Sequence, residues 1–159
     1  MLAMLSDPTS GTVSVDTQLR GVIEVPADKI LRFTAPLLGF DKLERFLIYQ
    51  TQAGPMYWLQ AVDDKAVSFC LLAPFQTGMD IDMEIGPADA VDIGAVAVGE
   101  IDVYTVLVLD KDPAQIRTNL RAPILVCPRT GLAKQLVLSN ARLPIQFHLK
   151  DLRLPPATK

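Results

Sequence analysis

Tyr57-Trp58-Leu59-Gln60-Ala61-Val62 is the stretch from which the fold is read. It follows Gly54-Pro55 and stops at Asp63-Asp64, so a short apolar and aromatic run lies between two pieces of turn chemistry. That arrangement predicts a strand. Successive strand side chains point to opposite faces, so Leu59 and Trp58 are separated. One of them belongs to the core; an exposed Trp58 would anchor a partner, because aromatic residues dominate interface energetics.

Outward from this stretch the same alternation recurs. Leu19, Gly21, Ile23 and Val25 alternate with Arg20, Val22 and Glu24, and Phe46-Leu47-Ile48-Tyr49 is a short apolar run between turn formers. Further strands are expected at 66–72, 79–85, 101–109, 123–127, 133–139 and 144–149. Arg129-Thr130-Gly131 reads as the hairpin turn between the strands 123–127 and 133–139. Many short strands separated by Gly, Pro and Asp predict an all-β fold, an antiparallel barrel or sandwich. Pro87-Ala88-Asp89-Ala90-Val91-Asp92-Ile93, with proline at its first position and Gly94 as its stop, predicts one short helix. Single helical turns are expected at 41–46 and 112–118.

The organisation is one domain. Residues 1–18, rich in Ser, Thr and Asp, are expected to form a flexible N-terminal arm. Residues 19–149 carry one continuous pattern, and 150–159, ending Leu154-Pro155-Pro156-Ala157-Thr158-Lys159, reads as a flexible tail.

A chain of 159 residues, half of them apolar and 21% charged, falls among globular rather than disordered proteins. Its net charge of −3 gives no licence for nucleic-acid binding. Cys70 and Cys127 sit in apolar segments, which suits buried thiols in a reducing compartment. No run approaches the ~18 apolar residues of a membrane span. Met1-Leu2-Ala3-Met4-Leu5 lacks a basic region and is interrupted by Ser6-Asp7-Pro8, so no signal peptide is expected, and the location expected is cytoplasmic.

Few residues suggest chemistry. His148 is the only histidine, and a nucleophile–His–acid arrangement would need Ser139 or a cysteine beside it. No Gly-x-Ser-x-Gly elbow occurs, and no His or Cys has a second ligand at short spacing. The reading is therefore a protein without catalysis, metal or cofactor. In Asp80-Ile81-Asp82-Met83-Glu84-Ile85, alternation would put Asp80, Asp82 and Glu84 on one strand face. A calcium loop needs glycine at its sixth position, where Ile85 stands, so the acids read as a solvated face or a surface for a basic partner.

Charge is uneven along the chain. From Ala66 to Asp110 there are eight acids and no Lys or Arg; from Lys111 to Lys159 there are nine basic residues and two acids. In space the two halves would either form opposed sides or cancel as cross-strand pairs. The basic half has only Phe147 as an aromatic and its charges are dispersed, unlike a single-strand nucleic-acid binder.

Several elements together resemble the FliW family of bacterial flagellar assembly factors. Ile30-Leu31-Arg32-Phe33, Leu37-Leu38-Gly39-Phe40 and Phe46-Leu47-Ile48 resemble its opening, a strand, a Pro-Gly-Phe turn and another strand. Met56-Tyr57-Trp58-Leu59-Gln60-Ala61-Val62-Asp63 is similar to its aromatic-x-Leu-Gln-Ser segment, and Asn119-Leu120-Arg121-Ala122-Pro123-Ile124 to its Asn-Leu-x-Ala-Pro-Ile element. The likeness covers 19–149. It implies an antiparallel β-barrel-like domain with one or two short helices and no enzymatic activity. The partners it implies are flagellin and the carbon storage regulator CsrA, an RNA-binding translational repressor that such factors antagonise allosterically. Neither a membrane nor direct nucleic-acid binding is implied; the alternative is a β-barrel ligand- or nucleic-acid-binding module without catalysis.

Two departures stand out. Leu38 replaces the family's proline, which is expected to loosen the turn, and the basic Pro-rich segment 150–159 has no counterpart. Gly39-Phe40 is expected to make a turn with Phe40 as a buried plug. Asn119 is expected to bond local backbone at a bend that Leu120, Ala122 and Pro123 carry into a strand.

Overall fold

The computed structural model of the chain describes residues 11–152. Its strands are β1 (Thr12–Thr17), β2 (Gly21–Pro26), β3 (Ile30–Phe33), β4 (Arg45–Tyr49), β5 (Met56–Ala61) and β6 (Ser68–Leu72). After the helix α1 (Pro87–Asp92) come β7 (Asp102–Val108), β8 (Arg117–Thr118), β9 (Ile124–Cys127), β10 (Leu132–Gln135) and β11 (Phe147–His148).

Seven strands close into a barrel. They pair in the order β7, β6, β5, β4, β3, β10, β9, and β9 returns to β7 through Asp102↔Val126, Val103↔Leu125 and Tyr104↔Ile124. Closure removes unpaired sheet edges. β7 serves two neighbours in turn, since 102–104 pairs with β9 while 105–107 pairs with β6. It also carries β8, which pairs with β11. Every pairing is antiparallel except β3–β10, which runs parallel through Leu132↔Arg32 and Ala133↔Phe33. The fold is thus mostly β, a closed mixed barrel with one short α-helix.

Alternation fills the interior with Leu31, Phe33, Phe46, Leu59, Leu71, Ile124 and Val126. Phe33 and Phe46 meet edge to face, with ring centroids 5.0 Å apart. Burying each such side chain contributes ~1.5–3 kcal/mol, so the barrel core holds the domain without staples. Cys70 and Cys127 are both buried and free. Burial pushes the Cys70 thiol up to about 11.

The helix α1 packs outside the barrel. Pro87 has no N–H to leave unpaired there, and the Gly86 N–H donates to Asp89 Oδ2 at 3.1 Å. Gly94 ends it with φ +73, and a Cβ there would lie 2.9 Å from Thr130 Cγ2. Ala90, Ile93 and Ala95 bury against Leu125 and Cys127 of β9.

Some expectations are corrected. Residues 12–17, read as part of a loose arm, form β1 and pair with β2 along its length. Residues 1–10 and 153–159, the remainder of the two expected arms, lie outside the described residues. The segment 79–85 is no strand, because it makes no ladder pairing. Residues 41–46 form no helical turn, and β4 already begins at Arg45. In 112–118 a 3-10 turn over Pro113–Gln115 leads into β8. β10 ends at Gln135, although the N–H groups of Leu136 and Leu138 still donate to Pro123 and Arg121. Among the described residues no helix is long and apolar enough to cross a membrane.

Candidate partner-binding surface

The acidic segment keeps its alternation in burial while losing it in backbone. Asp80, Asp82 and Glu84 are exposed, Met83 is buried, and Met79, Ile81 and Ile85 are half-buried. The apolar side chains pack on Leu120 and Leu143. Asp82 Oδ1 accepts the Glu84 N–H at 2.8 Å, and Glu84 takes φ +56, a left-handed value that ends any pleat. The three carboxylates therefore fringe an extended loop and do not form a regular strand row. Among the described residues none of them enters an ion pair.

This loop forms one wall of an apolar groove of about 350 Å³. Ile81, Met83, Ile101 and Val103 line it, Phe75 and Val98 stand 46% and 43% exposed at its sides, and Asp82 and Glu84 border it. The groove exists because β6 stops at Leu72. The chain then turns aside through a 3-10 turn, Pro74–Thr77, capped by left-handed Gly78, so the start of β7 is left without a strand on that side.

The two charged halves of the sequence meet in space. Lys134 Nζ lies 3.2 Å from Asp89 and 2.7 Å from Asp92, and Arg129 lies 2.9 Å from Glu100. Arg129 also donates to the Gly94 carbonyl at 2.8 Å, and Thr130 to that of Ile93 at 2.7 Å. Burial acts to lower the Lys134 ammonium, but Asp92 and Asp89 outweigh it and hold it above its ordinary value. The Arg129 guanidinium holds the Glu100 carboxyl below the usual range. Cancellation is thus real for Asp89, Asp92 and Glu100, and it leaves Asp80, Asp82, Glu84, Asp102 and Asp110 unpaired among the described residues.

Other candidates fall elsewhere. Leu59 is fully buried in the barrel, whereas Trp58 is half-buried on the outside, in a cluster with Cys70, Leu72 and Leu107. Part of its surface therefore stays open to solvent. Gly39 has φ +89 in a turn closed by the Phe40 N–H on the Leu37 carbonyl at 2.9 Å. Phe40 is half-buried, edge to face with Phe69 at 5.3 Å. Asn119 Oδ1 accepts the Arg121 N–H at 2.8 Å, Leu120 is 3% exposed, and Ala122 and Pro123 lead directly into β9. His148 pairs opposite Arg117, far along the chain from the groove. Among the described residues no group of three His, Cys, Asp or Glu is placed to hold a metal.

Sequence reasoning passed over Gln60 beyond its place in a motif. Its side chain is fully buried and joins three parts of the fold. Oε1 accepts the Gln18 N–H at 2.9 Å, and Nε2 donates to the Lys65 carbonyl at 3.1 Å. The signal was a lone amide inside an apolar strand, which must find partners once buried.

Comparison with known proteins agrees with this architecture. The family described as FliW protein matches residues 14–149. The flagellar assembly factor FliW of Caldicellulosiruptor saccharolyticus is 27% identical over 135 residues, covering 85% of this chain and 89% of the relative. That of Natranaerobius thermophilus is 32% identical over 123 residues, covering 74% and 80%. A crystal structure of the flagellar assembly factor FliW superimposes with a TM-score of 0.76 at 25% identity, covering 86% of this chain and 96% of that one. The chain belongs to the FliW family.

Proposed function

We propose that the chain is a non-enzymatic flagellar assembly factor of the cytoplasm, which binds flagellin and antagonises the translational repressor CsrA, so coupling flagellin synthesis to export. The observation that carries this is the family match across 14–149, together with relatives that bear the name flagellar assembly factor. The surface chemistry suits such a role. An apolar groove bordered by carboxylates that lack ion pairs offers a partner both buried area and charge selection. Asp80, Asp82 and Glu84 are assigned to the basic repressor, and the apolar groove beside them to flagellin.

The test uses the purified chain, flagellin and CsrA. Separate binding titrations should give a complex with each, and adding the chain should restore translation of a flagellin-leader reporter repressed by CsrA. Preincubation with flagellin should remove that restoration. Absence of both complexes overturns the proposal.

A further inference from the structure

At the end of the barrel where β3, β5 and β7 begin, a cavity of about 210 Å³ opens to solvent. Leu31, Ile48 and Val126 wall it, Tyr57 and Tyr104 form one side, and Asp28, Lys29 and Asp102 stand around it. Tyr104 is 92% buried (8% exposed), yet among the described residues its hydroxyl has no hydrogen-bond partner and is not sealed from solvent. Water in the open cavity can serve that hydroxyl, and a polar ligand group entering the cavity would take the water's place.

Its neighbours say which kind. The Tyr57 and Tyr104 rings meet edge to face at 5.2 Å, and the Tyr57 hydroxyl is held by Gln76 at 3.2 Å. Burial and then the Asp102 charge push the Tyr104 phenol upward, so it stays neutral. Asp28 and Asp102 form no ion pair among the described residues, and partial burial holds the Asp102 carboxyl above its ordinary value. Two unpaired carboxylates, two aromatic rings and apolar walls call for a cation on an aliphatic stem. Among the described residues Lys29 is the only cation lining the cavity, and it is exposed at the surface.

We propose that this mouth is a binding site for one arginine side chain of a partner polypeptide. A guanidinium can stack on an aromatic ring while its planar donors serve Asp28, Asp102 and the Tyr104 hydroxyl together; an ammonium is a compact, strongly hydrated point charge. The cavity is smaller than the ~300–1,000 Å³ of small-molecule pockets, which favours a single side chain. A smaller cleft shares Asp102 and Tyr104 with the mouth and Phe75, Ile101 and Val103 with the apolar groove, so mouth and groove are neighbours along the start of β7. This reading does not depend on the flagellar assignment.

The test is an NMR titration of the full chain with acetyl-Leu-Arg-Leu-amide, its citrulline and lysine counterparts, and spermidine. The arginine peptide should shift the Tyr57 and Tyr104 ring signals and the Asp102 amide saturably, and citrulline should bind at least about tenfold more weakly, having lost the charge. Asp102→Asn and Tyr104→Phe, which keep shape, should each weaken the arginine peptide by about tenfold with the remaining spectrum unchanged. No saturable shift at these residues, equal binding of citrulline, lysine or the Asp102→Asn variant, or tighter binding of spermidine would each overturn the proposal.

Discussion

Gln60→Ala is expected to destabilise the domain by about 2–4 kcal/mol and to loosen the N-terminal hairpin first. Gln60 is fully buried on β5. Its Oε1 accepts the Gln18 N–H at 2.9 Å, and its Nε2 faces the carbonyls of Ala61 and Lys65 at 3.1 Å and Val67 at 3.3 Å. Truncation orphans the Gln18 donor and the Lys65 acceptor. Both residues are exposed, so water rescues part of the loss and each costs ~1 kcal/mol, the low end for an unpaired group. The lost methylene adds ~0.8 kcal/mol and the residual cavity somewhat more. At ~2–4 °C per kcal/mol for a chain of this size, the melting temperature should fall by roughly 5–15 °C. Urea unfolding followed by Trp58, the only tryptophan, measures the global term. Amide exchange measures the local one. β1 and β2 are otherwise held by the Lys65–Asp16 pair at 3.5 Å, by Arg20 on the Thr51 carbonyl at 3.0 Å and by burial of Val15 and Thr17. Their exchange should therefore accelerate more than that of β5. An unchanged unfolding midpoint with unchanged protection in β1 would refute the argument.

Leu120→Ala should cost ~2–5 kcal/mol, and Phe40→Ala less than the ~3–5 kcal/mol of a fully buried Phe because Phe40 is half-buried; denaturant midpoints decide both. Replacing Asp80, Asp82 and Glu84 by Asn or Gln should slow repressor binding and flatten its salt dependence while leaving flagellin binding little changed, and coincident salt slopes for variant and parent would assign the repressor elsewhere. Arg45 and Arg129 hold the carboxyls of Asp63 and Glu100 below their ordinary values, so the stability they contribute is present above about pH 4 and is lost as pH falls through the lower folded values. Glu100→Gln should accordingly flatten the acid limb of a stability–pH curve and leave its alkaline limb unchanged.

Strands whose two ends carry turn formers were legible in the sequence. β4, β5 and β6 fall where apolar runs between Gly, Pro and Asp put them, and α1 lies between its proline and its glycine. The segment 79–85 shows the limit of that signal. Alternation in sequence reports which side chains are buried, and here it reported them correctly: the acids are out and Met83 is in. A ladder also needs a neighbour with free backbone groups, which alternation does not report. β1 shows the converse, since Thr12-Val13-Ser14-Val15-Asp16-Thr17 alternates plainly, but its polar half resembles a terminal arm. The groove and the barrel mouth had no single local signature, because each gathers residues from three or more separate stretches.

A long-range tie also bears on the turn at Leu38. Proline would pre-set the turn's φ, but it has no N–H to give. The Leu38 N–H donates to Gln135 Oε1 at 3.2 Å, across a separation of 97 residues. Gln135 Nε2 in turn lies 3.4 Å from the Ala122 carbonyl, so one side chain links the 37–40 turn to the segment entering β9. The turn keeps its left-handed Gly39 and its closing bond between Phe40 and Leu37. Where a proline would pre-set the dihedral, this chain has a long-range hydrogen bond, a contact class that contributes ~0.5–1.5 kcal/mol. The turn in this chain is thus restrained from β10 as well as by its own backbone. Such a tie is invisible in a sequence motif, which records what a residue can do locally and not which carbonyl or amide waits for it on another strand.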